Sequence, residues 1–450
     1  MTSYRVAIGS YEQPIESVRQ VIDLSGGLDH LPQDATVFIK PNIVFWTRAT
    51  DFPKWGVITT SRIIEDTIIT LKEKGINRII IGEGSVFMDP KDKLSAEHSF
   101  ENLGYYEFKK RYGIECINVF DRPFKTVQLD DIELNFNEDI LNADFVVNIP
   151  VLKTHNQTVV SLGIKNLKGM IDIVSRKRCH TMTPDKNLHY YVSKLSDCMP
   201  PMLTLIDGIY SNERGPGIDG RMRRSNILIA SNDILSADLV GCRVLGHSPD
   251  SVPHIVYAAQ KRNRKTDLSD VEVMGKSIED VASRHEFDFL YSSTDQGCLP
   301  VPMAKEGLEG IYYRKYDLSM CTYCSGINGV VLSAIRYAWK GKPWDKIEIL
   351  TGKSMEPTPG MNKTILLGKC MYQKHKHNDT IKEMIPIKGC PPKPDDILKA
   401  LHQAGIDADK GLFEQIDKMP GFFLGKYQNK PEFNPHFFRA AGDYPKLKRD

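Results

Sequence analysis

The sequence contains no apolar run that approaches the roughly 18 to 20 residues needed to cross a bilayer. Its first residues, Met-Thr-Ser-Tyr-Arg-Val-Ala-Ile-Gly, enter a predicted strand without the apolar segment of a signal peptide. Basic and acidic residues are nearly equal in number, at 59 and 57. This balance argues against nucleic-acid binding through a basic surface. We therefore expect a cytoplasmic protein with neither a membrane nor a nucleic acid as partner.

A disulfide framework is also not expected, because the nine cysteines are an odd number and the predicted compartment is reducing. Spaced cysteines in such a protein more often serve metal or redox chemistry. A chain of 450 residues is too long for one compact core. We expect an α/β domain over residues 1–300, a smaller four-cysteine α/β module over 301–415, and a tail over 416–450 that wraps the surface.

The fold class follows from alternating strand and helix patterns in the first part of the chain. Short apolar runs typical of buried strands are separated by amphipathic stretches with helical spacing. The predicted strands are 5–9, 36–40, 78–81, 145–149, 203–206 and 227–230. This alternation predicts an α/β domain with a parallel or mixed sheet and right-handed crossovers.

One stretch places several polar side chains after a buried strand. The apolar run 145–149 is closed by Pro150, and Lys153 and His155 follow in a predicted loop. Lys165 and Asn166 lie in the next stretch, 159–170, which has helical spacing. Ligands of open α/β sheets bind just past the carboxyl ends of strands. These side chains therefore lie where binding or chemistry is expected, although a solvated surface loop is the alternative.

Similar polar groups follow other predicted strands. Lys40 and Asn42, Glu83, and Asp207 each come at the end of an apolar run. If the strands are parallel, these groups meet at one edge, and cations with a few carboxylates and amides suit a small anionic substrate. We predict catalytic roles for Lys153, His155 and Lys165, and substrate-binding roles for Lys40, Asn42, Glu83, Asn166 and Asp207. Glu83 is either a ligand or a base, and Asp207 is either a ligand or the holder of a backbone turn.

Two further features leave alternatives open. The glycine-rich loop Glu213–Gly220 is either a plain turn or a backbone cradle for an anion. The arginines after it, Arg221, Arg223 and Arg224, are either an anion clamp or a solvated basic edge. Asp238 lies within a predicted helix, and a structural role is favoured for it.

Four cysteines form the second predicted site. Cys321 and Cys324 are a C-x-x-C pair, Cys370 follows 46 residues after Cys324, and Cys390 follows 20 residues later. Thiolates that converge from separate loops suit zinc or an iron–sulfur cluster. The proline after Cys390 and the scattered ligand positions favour one [4Fe–4S] cluster over zinc or unliganded thiols. The remaining cysteines are expected to be structural, with Cys179 as an exception.

The segment Gly389–Leu398 also resembles the cluster-ligating segment of the small subunits of complex I and related hydrogenases. A longer resemblance covers residues 5–260. Its motifs are Ile39-Lys-Pro-Asn, Gly82-Glu-Gly-Ser, the run from Ala143 to Lys153-Thr-His155, Gly163-Ile-Lys-Asn-Leu-Lys-Gly169, and Asp207-Gly. They resemble the domain of unknown function 362 family. Many members carry a ferredoxin-like insert with two C-x-x-C-x-x-C runs, which this chain lacks, so the resemblance implies one cluster at most.

A weaker resemblance is to the nickel-pincer lactate racemase family. In that family a histidine, a lysine ten residues on and a second histidine hold or serve a nickel-pincer cofactor, and His155, Lys165 and His180 have nearly that spacing. Cys179 lies beside His180. Other signatures of that family, including its acidic, arginine-rich motif, are not evident. This resemblance implies a shared fold and pocket, with nickel less favoured than iron.

These observations predict an iron–sulfur redox enzyme that acts on a small anionic substrate in a pocket lined by lysine and histidine. The lysines and His155 would bind the substrate and handle protons, and a cluster facing them would carry electrons or act as a Lewis acid. An electron-transfer protein is the expected macromolecular partner. The alternatives are a nickel-pincer type racemase or isomerase, and a non-catalytic electron carrier or cofactor-assembly protein.

Overall fold

The structure is a computed structural model, and it describes residues 3–87, 92 and 94–442. Strands and helices alternate along most of the chain. The strands are β1 (Tyr4–Ser10), β2 (Thr36–Lys40), β3 (Phe45–Trp46), β4 (Arg78–Glu83), β5 (Val86–Phe87), β6 (Glu115–Asn118), β7 (Phe124–Leu129), β8 (Ile132–Asn137), β9 (Phe145–Asn148), β10 (Val151–His155), β11 (Val159–Ser161), β12 (Met202–Glu213), β13 (Arg221–Ser231), β14 (Val271–Gly275), β15 (Tyr291–Thr294), β16 (Gly297–Pro300), β17 (Ile311–Tyr312), β18 (Ile347–Leu350), β19 (Lys363–Leu367) and β20 (Glu383–Ile387).

The helices lie between these strands and after the last of them. They are α1 (Glu16–Ser25), α2 (Ser61–Glu73), α3 (Leu94–Asn102), α4 (Tyr105–Tyr112), α5 (Glu138–Leu141), α6 (Gly163–Asn166), α7 (Ile173–Arg178), α8 (Leu188–Lys194), α9 (Ile234–Val244), α10 (Pro253–Lys261), α11 (Ile278–Val281), α12 (Val301–Lys305), α13 (Thr322–Ala338), α14 (Lys369–His375), α15 (Pro394–Ala404), α16 (Lys410–Glu414) and α17 (Met419–Phe422). Short 3₁₀ helices cover Val119–Asp121, Leu167–Met170, Pro249–Ser251, Ile416–Lys418, Leu424–Lys426 and Pro435–Phe438.

The chain divides into two compact units. The first comprises Met1–Ser175, His189–Phe287 and Pro420–Asp450, and the second comprises Arg176–Leu188 and Asp288–Met419. These limits differ from the expected domains in three respects, the first being that the second unit already begins at Asp288 and not at residue 301. The short segment 176–188 groups with the cysteine-bearing part of the chain, and the residues after Met419 group with the first unit.

The first unit contains a mixed sheet in the order β14-β1-β13-β12-β9-β2-β4-β6, with β10 and β11 attached beside β12. Strands β12, β9, β2, β4 and β6 are mutually parallel along this order. Strand β13 is antiparallel to both β1 and β12. The α/β fold with a parallel or mixed sheet is therefore confirmed, and its parallel half places the ends of β2, β4 and β9 at one edge.

The second unit has its own sheet in the order β15-β16-β17-β18-β19-β20. The pairs from β16 to β20 are parallel, and β15 forms an antiparallel hairpin with β16. The predicted smaller α/β unit is thus present in the fold. Helix α13, the longest one in the part of the chain that the structure describes, begins directly after Cys321.

The prediction that Lys153 and His155 lie in a loop is wrong. The chain resumes an extended conformation directly after Pro150 as β10, which pairs in parallel with β12 and antiparallel with β11. Proline interrupts the ladder because it has no N–H, but β-branched Val151 continues an extended run afterwards. The predicted helical stretch 159–170 likewise begins with a strand, Val159–Ser161, and turns helical only at Gly163.

The predicted tail contributes aromatic side chains to the core of the first unit. Tyr427, Phe433 and Phe438 are buried in the same cluster as Trp55 and Tyr210. The Trp55 and Phe433 rings are 5.5 Å apart between centroids in an edge-to-face arrangement. Residues 443–450 of this predicted tail lie outside the described residues. The segment after Pro420 is therefore part of the packing of this unit as far as it is described.

Candidate functional site

A buried ion pair joins the ends of two neighbouring parallel strands. Lys40 Nζ at the end of β2 lies 2.8 Å from Glu83 Oε2 at the end of β4. The Lys40 and Glu83 side chains are only 1% and 3% exposed. Glu83 also accepts hydrogen bonds from the amides of Ile43 (2.9 Å) and Gly84 (2.8 Å). A carboxylate with these partners is held in one orientation, which offsets part of the cost of burying the pair.

A chain of amide side chains extends from this pair. Lys40 Nζ and Asn42 Nδ2 both donate to Asn166 Oδ1, at 3.1 and 3.0 Å. Asn166 Nδ2 donates to Asn148 Oδ1 at 2.8 Å, and Asn148 Nδ2 donates to the carbonyl of Gly163 at 3.0 Å. The short helix α6 is thereby tied to the ends of β2 and β9. Asn148 was not among the predicted site residues, although it is a polar residue inside the apolar run of β9.

Lys153 joins the same network from β10. Its Nζ donates to Asn42 Oδ1 at 2.6 Å, to the carbonyl of Val57 at 2.8 Å and to the carbonyl of Pro216 at 3.4 Å. Burial of the amine, together with the charge of Lys40, lowers the pKa of Lys153 to about 7, although Glu83 opposes the shift. Lys153 can therefore gain or lose a proton near neutral pH. We call Lys40, Asn42, Glu83, Lys153 and Asn166 the strand-end network.

Lys165 lies on α6, one residue before Asn166. Its Nζ makes no hydrogen bond or ion pair with any residue that the structure describes. Burial and the charges of Lys168 and Lys153 hold the pKa of Lys165 well below its ordinary value. His155, at the end of β10, is buried and its Nδ1 accepts a hydrogen bond from the amide of Gln157 at 3.0 Å. The structure thus groups Lys165 electrostatically with the network, and His155 lies on the same strand as Lys153.

Two histidines that the sequence analysis did not select interact electrostatically with Lys165. The Nδ1 atoms of His189 and His254 are 3.2 Å apart, and their rings stack with centroids 5.5 Å apart. Burial and the nearby Lys165 lower the pKa of His189 to about 4 and that of His254 well below its ordinary value. The pair is therefore neutral at neutral pH. Sequence spacing gave no signal, because the two residues are 65 positions apart.

Asp207 lies apart from the hydrogen bonds of the strand-end network. Its carboxylate accepts from the amide of Thr60 at 2.7 Å, at the start of α2, and from the amide of Ile209 at 3.1 Å. Burial raises its pKa to about 6. These contacts correspond to the second expectation for Asp207, namely the holding of backbone turns. A substrate-binding role for it stays a prediction.

The glycine-rich loop contributes to the network through its backbone, since the Pro216 carbonyl accepts from Lys153. The arginines after the loop have partners within the protein. Arg223 forms an ion pair with Glu213, and Arg224 lies 4.8 Å from the centroid of the Tyr210 ring. Arg221 is exposed. Two of the three arginines are thus engaged by side chains of the first unit.

The four cysteines of the predicted second site lie in the second unit. Cys321 immediately precedes α13 and Cys324 is in its first turn, while Cys370 is the second residue of α14 and Cys390 follows β20. A hydrogen bond from the Cys324 thiol lowers the pKa of Cys321, and it raises the pKa of Cys324. The charges of Cys370 and Cys390 also act on Cys324. Cys321, Cys370 and Cys390 thus each act electrostatically on the Cys324 thiol.

Among the described residues, no group of three or more His, Cys, Asp or Glu side chains is arranged to hold a metal ion. Lysine side chains accompany the cysteines instead. Lys177 Nζ lies 3.7 Å from Cys390 Sγ, and Lys353 Nζ donates to the carbonyl of Lys177 at 2.9 Å. His180 Nδ1 is 2.9 Å from the carbonyl of Leu318 within the same unit.

The other cysteines are mostly enclosed by protein. Cys179, Cys242 and Cys298 are buried. Burial raises the pKa values of Cys116 and Cys198 to about 12. Such thiols stay protonated and unreactive at neutral pH.

One comparison with known proteins concerns the part of the chain that carries the strand-end network. Residues 37–243 match the family "Domain of unknown function (DUF362)", which confirms the predicted resemblance over this region. The match includes every member of the strand-end network and none of the four cysteines. A relative, the thylakoid-associated protein sll1697 of Synechocystis sp., is 26% identical over 253 residues, which cover 55% of this chain and 74% of that protein.

A solved structure is also similar to this chain. It is the lactate racemase apoprotein from Thermoanaerobacterium thermosaccharolyticum, at 12% identity and a TM-score of 0.36. The alignment covers 94% of this chain and 82% of that one. A similarity at this level carries no functional argument.

In the described ranges, the helices are too short or too polar to traverse a bilayer.

Proposed function

We propose that this protein is an iron–sulfur redox enzyme that acts on a small anionic substrate at the strand-end network. The observation that carries the proposal is the buried ammonium of Lys153, whose acceptors are neutral oxygens of Asn42, Val57 and Pro216. A buried cation without a carboxylate of its own is costly unless an anion is supplied. A negatively charged substrate would supply it.

The charge balance of the network supports the same conclusion. Lys40 is neutralised by Glu83 at 2.8 Å, which leaves Lys153 without a carboxylate partner among the described residues. Lys165 adds a second amine that makes no hydrogen bond or ion pair within the described part of the chain. An entering anion would raise the pKa of both amines and be held by both.

Each member of the network has a chemical role in the proposal. Lys153 holds or gives up a proton at Nζ near neutral pH, as an acid or base must. Asn42 and Asn166 orient the amines through their side-chain oxygens. Glu83 fixes the Lys40 amine through their ion pair, so that Lys40 keeps donating to Asn166.

The donor set of the second unit suits an iron–sulfur cluster. Clusters of the [4Fe–4S] type are held by four cysteine thiolates, and three cysteines of this unit act electrostatically on Cys324. A single zinc ion would draw its sulfur ligands to about 2.3 Å from one centre, whereas a cluster presents a separate iron to each cysteine. Cys321, Cys324, Cys370 and Cys390 would hold it. When bound, it supplies one-electron transfer, for which another redox protein would be donor or acceptor.

Anaerobic purification with iron and sulfide analysis tests the second unit. Wild-type protein should contain about four irons and four sulfides per chain, the content of one [4Fe–4S] cluster. Cys324→Ser should lose this content, and Cys198→Ser, a matched cysteine outside the set, should keep it. A colourless wild-type protein with stoichiometric zinc would refute the cluster. Nickel with a mass increment on Lys165 would favour a racemase instead.

Calorimetry with sulfate and acetate tests the first unit. Lys153→Met should weaken binding at least tenfold, because the removed charge–anion contact is worth about 1.5 to 3 kcal/mol. Lys74→Met, which removes the same charge from an exposed position on the same unit, should leave the affinity unchanged. If neither anion binds wild type while the cluster still exchanges electrons with small redox dyes, the protein is an electron carrier.

A further inference from the structure

Asp238 is a buried carboxylate that the proposed chemistry does not use. It lies within α9 and is 0% exposed. Its Oδ1 accepts from the amide of Gly163 at 2.6 Å and its Oδ2 accepts from the amide of Ile164 at 3.0 Å. In the described ranges these two amides are the only hydrogen-bond donors to Asp238, and it forms no salt bridge there. The carboxylate therefore binds the backbone turn at residues 163–164.

The surroundings of Gly163 show how closely the turn is pressed against α9. A Cβ at Gly163 would lie 2.8 Å from Asp238 Oδ1 and 2.9 Å from Thr204 Cγ2. A Cβ at Gly241, one turn further along α9, would lie 3.0 Å from side-chain atoms of Ile206 and Leu162. Neither glycine leaves room for an added Cβ without a clash or a very tight contact. The segment 162–164 is therefore packed closely against α9.

The turn that Asp238 holds carries two members of the proposed site. Lys165 and Asn166 directly follow Ile164 on α6. Asn166 connects Lys40, Asn42 and Asn148 through its side-chain amide. Asn148 also restrains this turn, by donating to the Gly163 carbonyl. A shift of the Gly163 and Ile164 amides would therefore displace both the Lys165 amine and the Asn166 carboxamide.

We infer that Asp238 is a positioning residue of the anion site, acting through the backbone of residues 163–166 without contacting the ligand. This inference rests on the proposed function. Asp238→Asn keeps the side-chain volume but replaces one acceptor oxygen with an NH₂ group. This group is itself a donor and cannot accept a hydrogen bond from a backbone amide. One buried N–H then loses its partner, a cost of about 1 to 3 kcal/mol. The turn should relax to recover a hydrogen bond.

Sulfate calorimetry and amide hydrogen exchange on the full chain test the inference. Asp238→Asn should weaken sulfate binding about tenfold and speed exchange in the peptide that contains residues 163–166. Asp238→Glu, which restores a carboxylate, should recover part of the affinity. Asp66→Asn is the matched control, because Asp66 is also a fully buried carboxylate of the first unit and accepts from Tyr11 Oη at 2.8 Å. It should lower the melting temperature and leave sulfate affinity unchanged.

The outcomes separate this inference from the proposed function. If wild type binds sulfate and Asp238→Asn binds it equally well, the positioning role is refuted and the anion site stands. Equal loss of affinity in Asp238→Asn and Asp66→Asn would also refute it, since general destabilisation would then explain both. If wild type binds neither sulfate nor acetate, the anion site itself fails, and the positioning role fails with it.

Discussion

The strand-end network and the four-cysteine group differ in how far their reactive side chains are buried in the protein. Lys40 and Lys153 are each 1% exposed, and their amines donate hydrogen bonds to oxygens of Glu83 and Asn42. Cys370 and Cys390, by contrast, are exposed, and Cys321 and Cys324 are partly so. The fold alone fixes the first group. If the proposed cluster is bound, the second group would depend more on its ligand, as ligand sets in metal-dependent modules commonly do.

Removal of Lys40 should have the largest effect on stability. Lys40→Met leaves the Glu83 carboxylate buried without its cation, which typically costs about 3 to 5 kcal/mol. Urea unfolding followed by circular dichroism measures the loss. The double variant Lys40→Met/Glu83→Gln should recover part of it, because no unpaired charge remains. A Lys40→Met protein as stable as wild type would show that the network is not preorganised by this ion pair.

Gly169 tests how tightly the backbone encloses the same pair. A Cβ at this position would lie 2.3 Å from Glu83 Oε1 and 2.5 Å from Lys40 Nζ. Gly169→Ala should therefore destabilise the protein by about 1 to 3 kcal/mol through overpacking. Gly425→Ala is the matched control in the same unit, since a Cβ there meets nothing within 4 Å. Equal effects of the two substitutions on the unfolding free energy would contradict the close enclosure.

The pH dependence of stability reports on Lys153. Its pKa is lowered to about 7 in the folded protein from an ordinary value of 10.5. Between these pH values the unfolded chain binds more protons, so the unfolding free energy should rise with pH by up to about 1.4 kcal/mol per pH unit. Unfolding curves from pH 7 to pH 10 should show this rise in wild type. The same curves for Lys153→Met should be flatter, and parallel curves would place the Lys153 pKa outside this window.

The smallest effect is expected at the cysteines. In metal-free protein, Cys324→Ser should change the unfolding free energy by no more than about 0.5 kcal/mol, because a partly exposed thiol contributes little packing. Differential scanning calorimetry of wild type and variant measures the difference. A loss comparable to that of Lys40→Met would mean that the cysteine group, too, is fixed by the fold. The contrast between the two regions would then disappear.

The residues at the edge of the sheet were the part of the site that was easiest to predict from the sequence. Lys40, Asn42 and Glu83 follow strands that are short apolar runs, and neighbouring parallel strands bring such ends together. Their convergence therefore required only strand identification and the rule for carboxyl ends. The α/β class followed from the same alternation.

Other features required three-dimensional contacts that no local pattern encodes. Pro150 suggested the end of a strand, yet pairing with β12 extends the chain as β10 and buries Lys153. The histidine pair and Asp238 come from helices distant in sequence from the residues that they meet. Asp207 follows an apolar run like the others, but its oxygens are taken by backbone amides. Strand-end position alone does not distinguish a ligand from a backbone cap.

The most direct test of the anion site is proton uptake upon sulfate binding. Sulfate stays fully ionised across the neutral range, so any proton taken up comes to the protein. At pH 8, free Lys153 should be mostly neutral, because its pKa is about 7, and a bound anion should restore its charge. Calorimetry in buffers of different ionisation enthalpy should therefore reveal proton uptake in wild type, and uptake smaller by up to one proton in Lys153→Met. Binding heats that are the same in every buffer, with equal affinity in both proteins, would contradict the account.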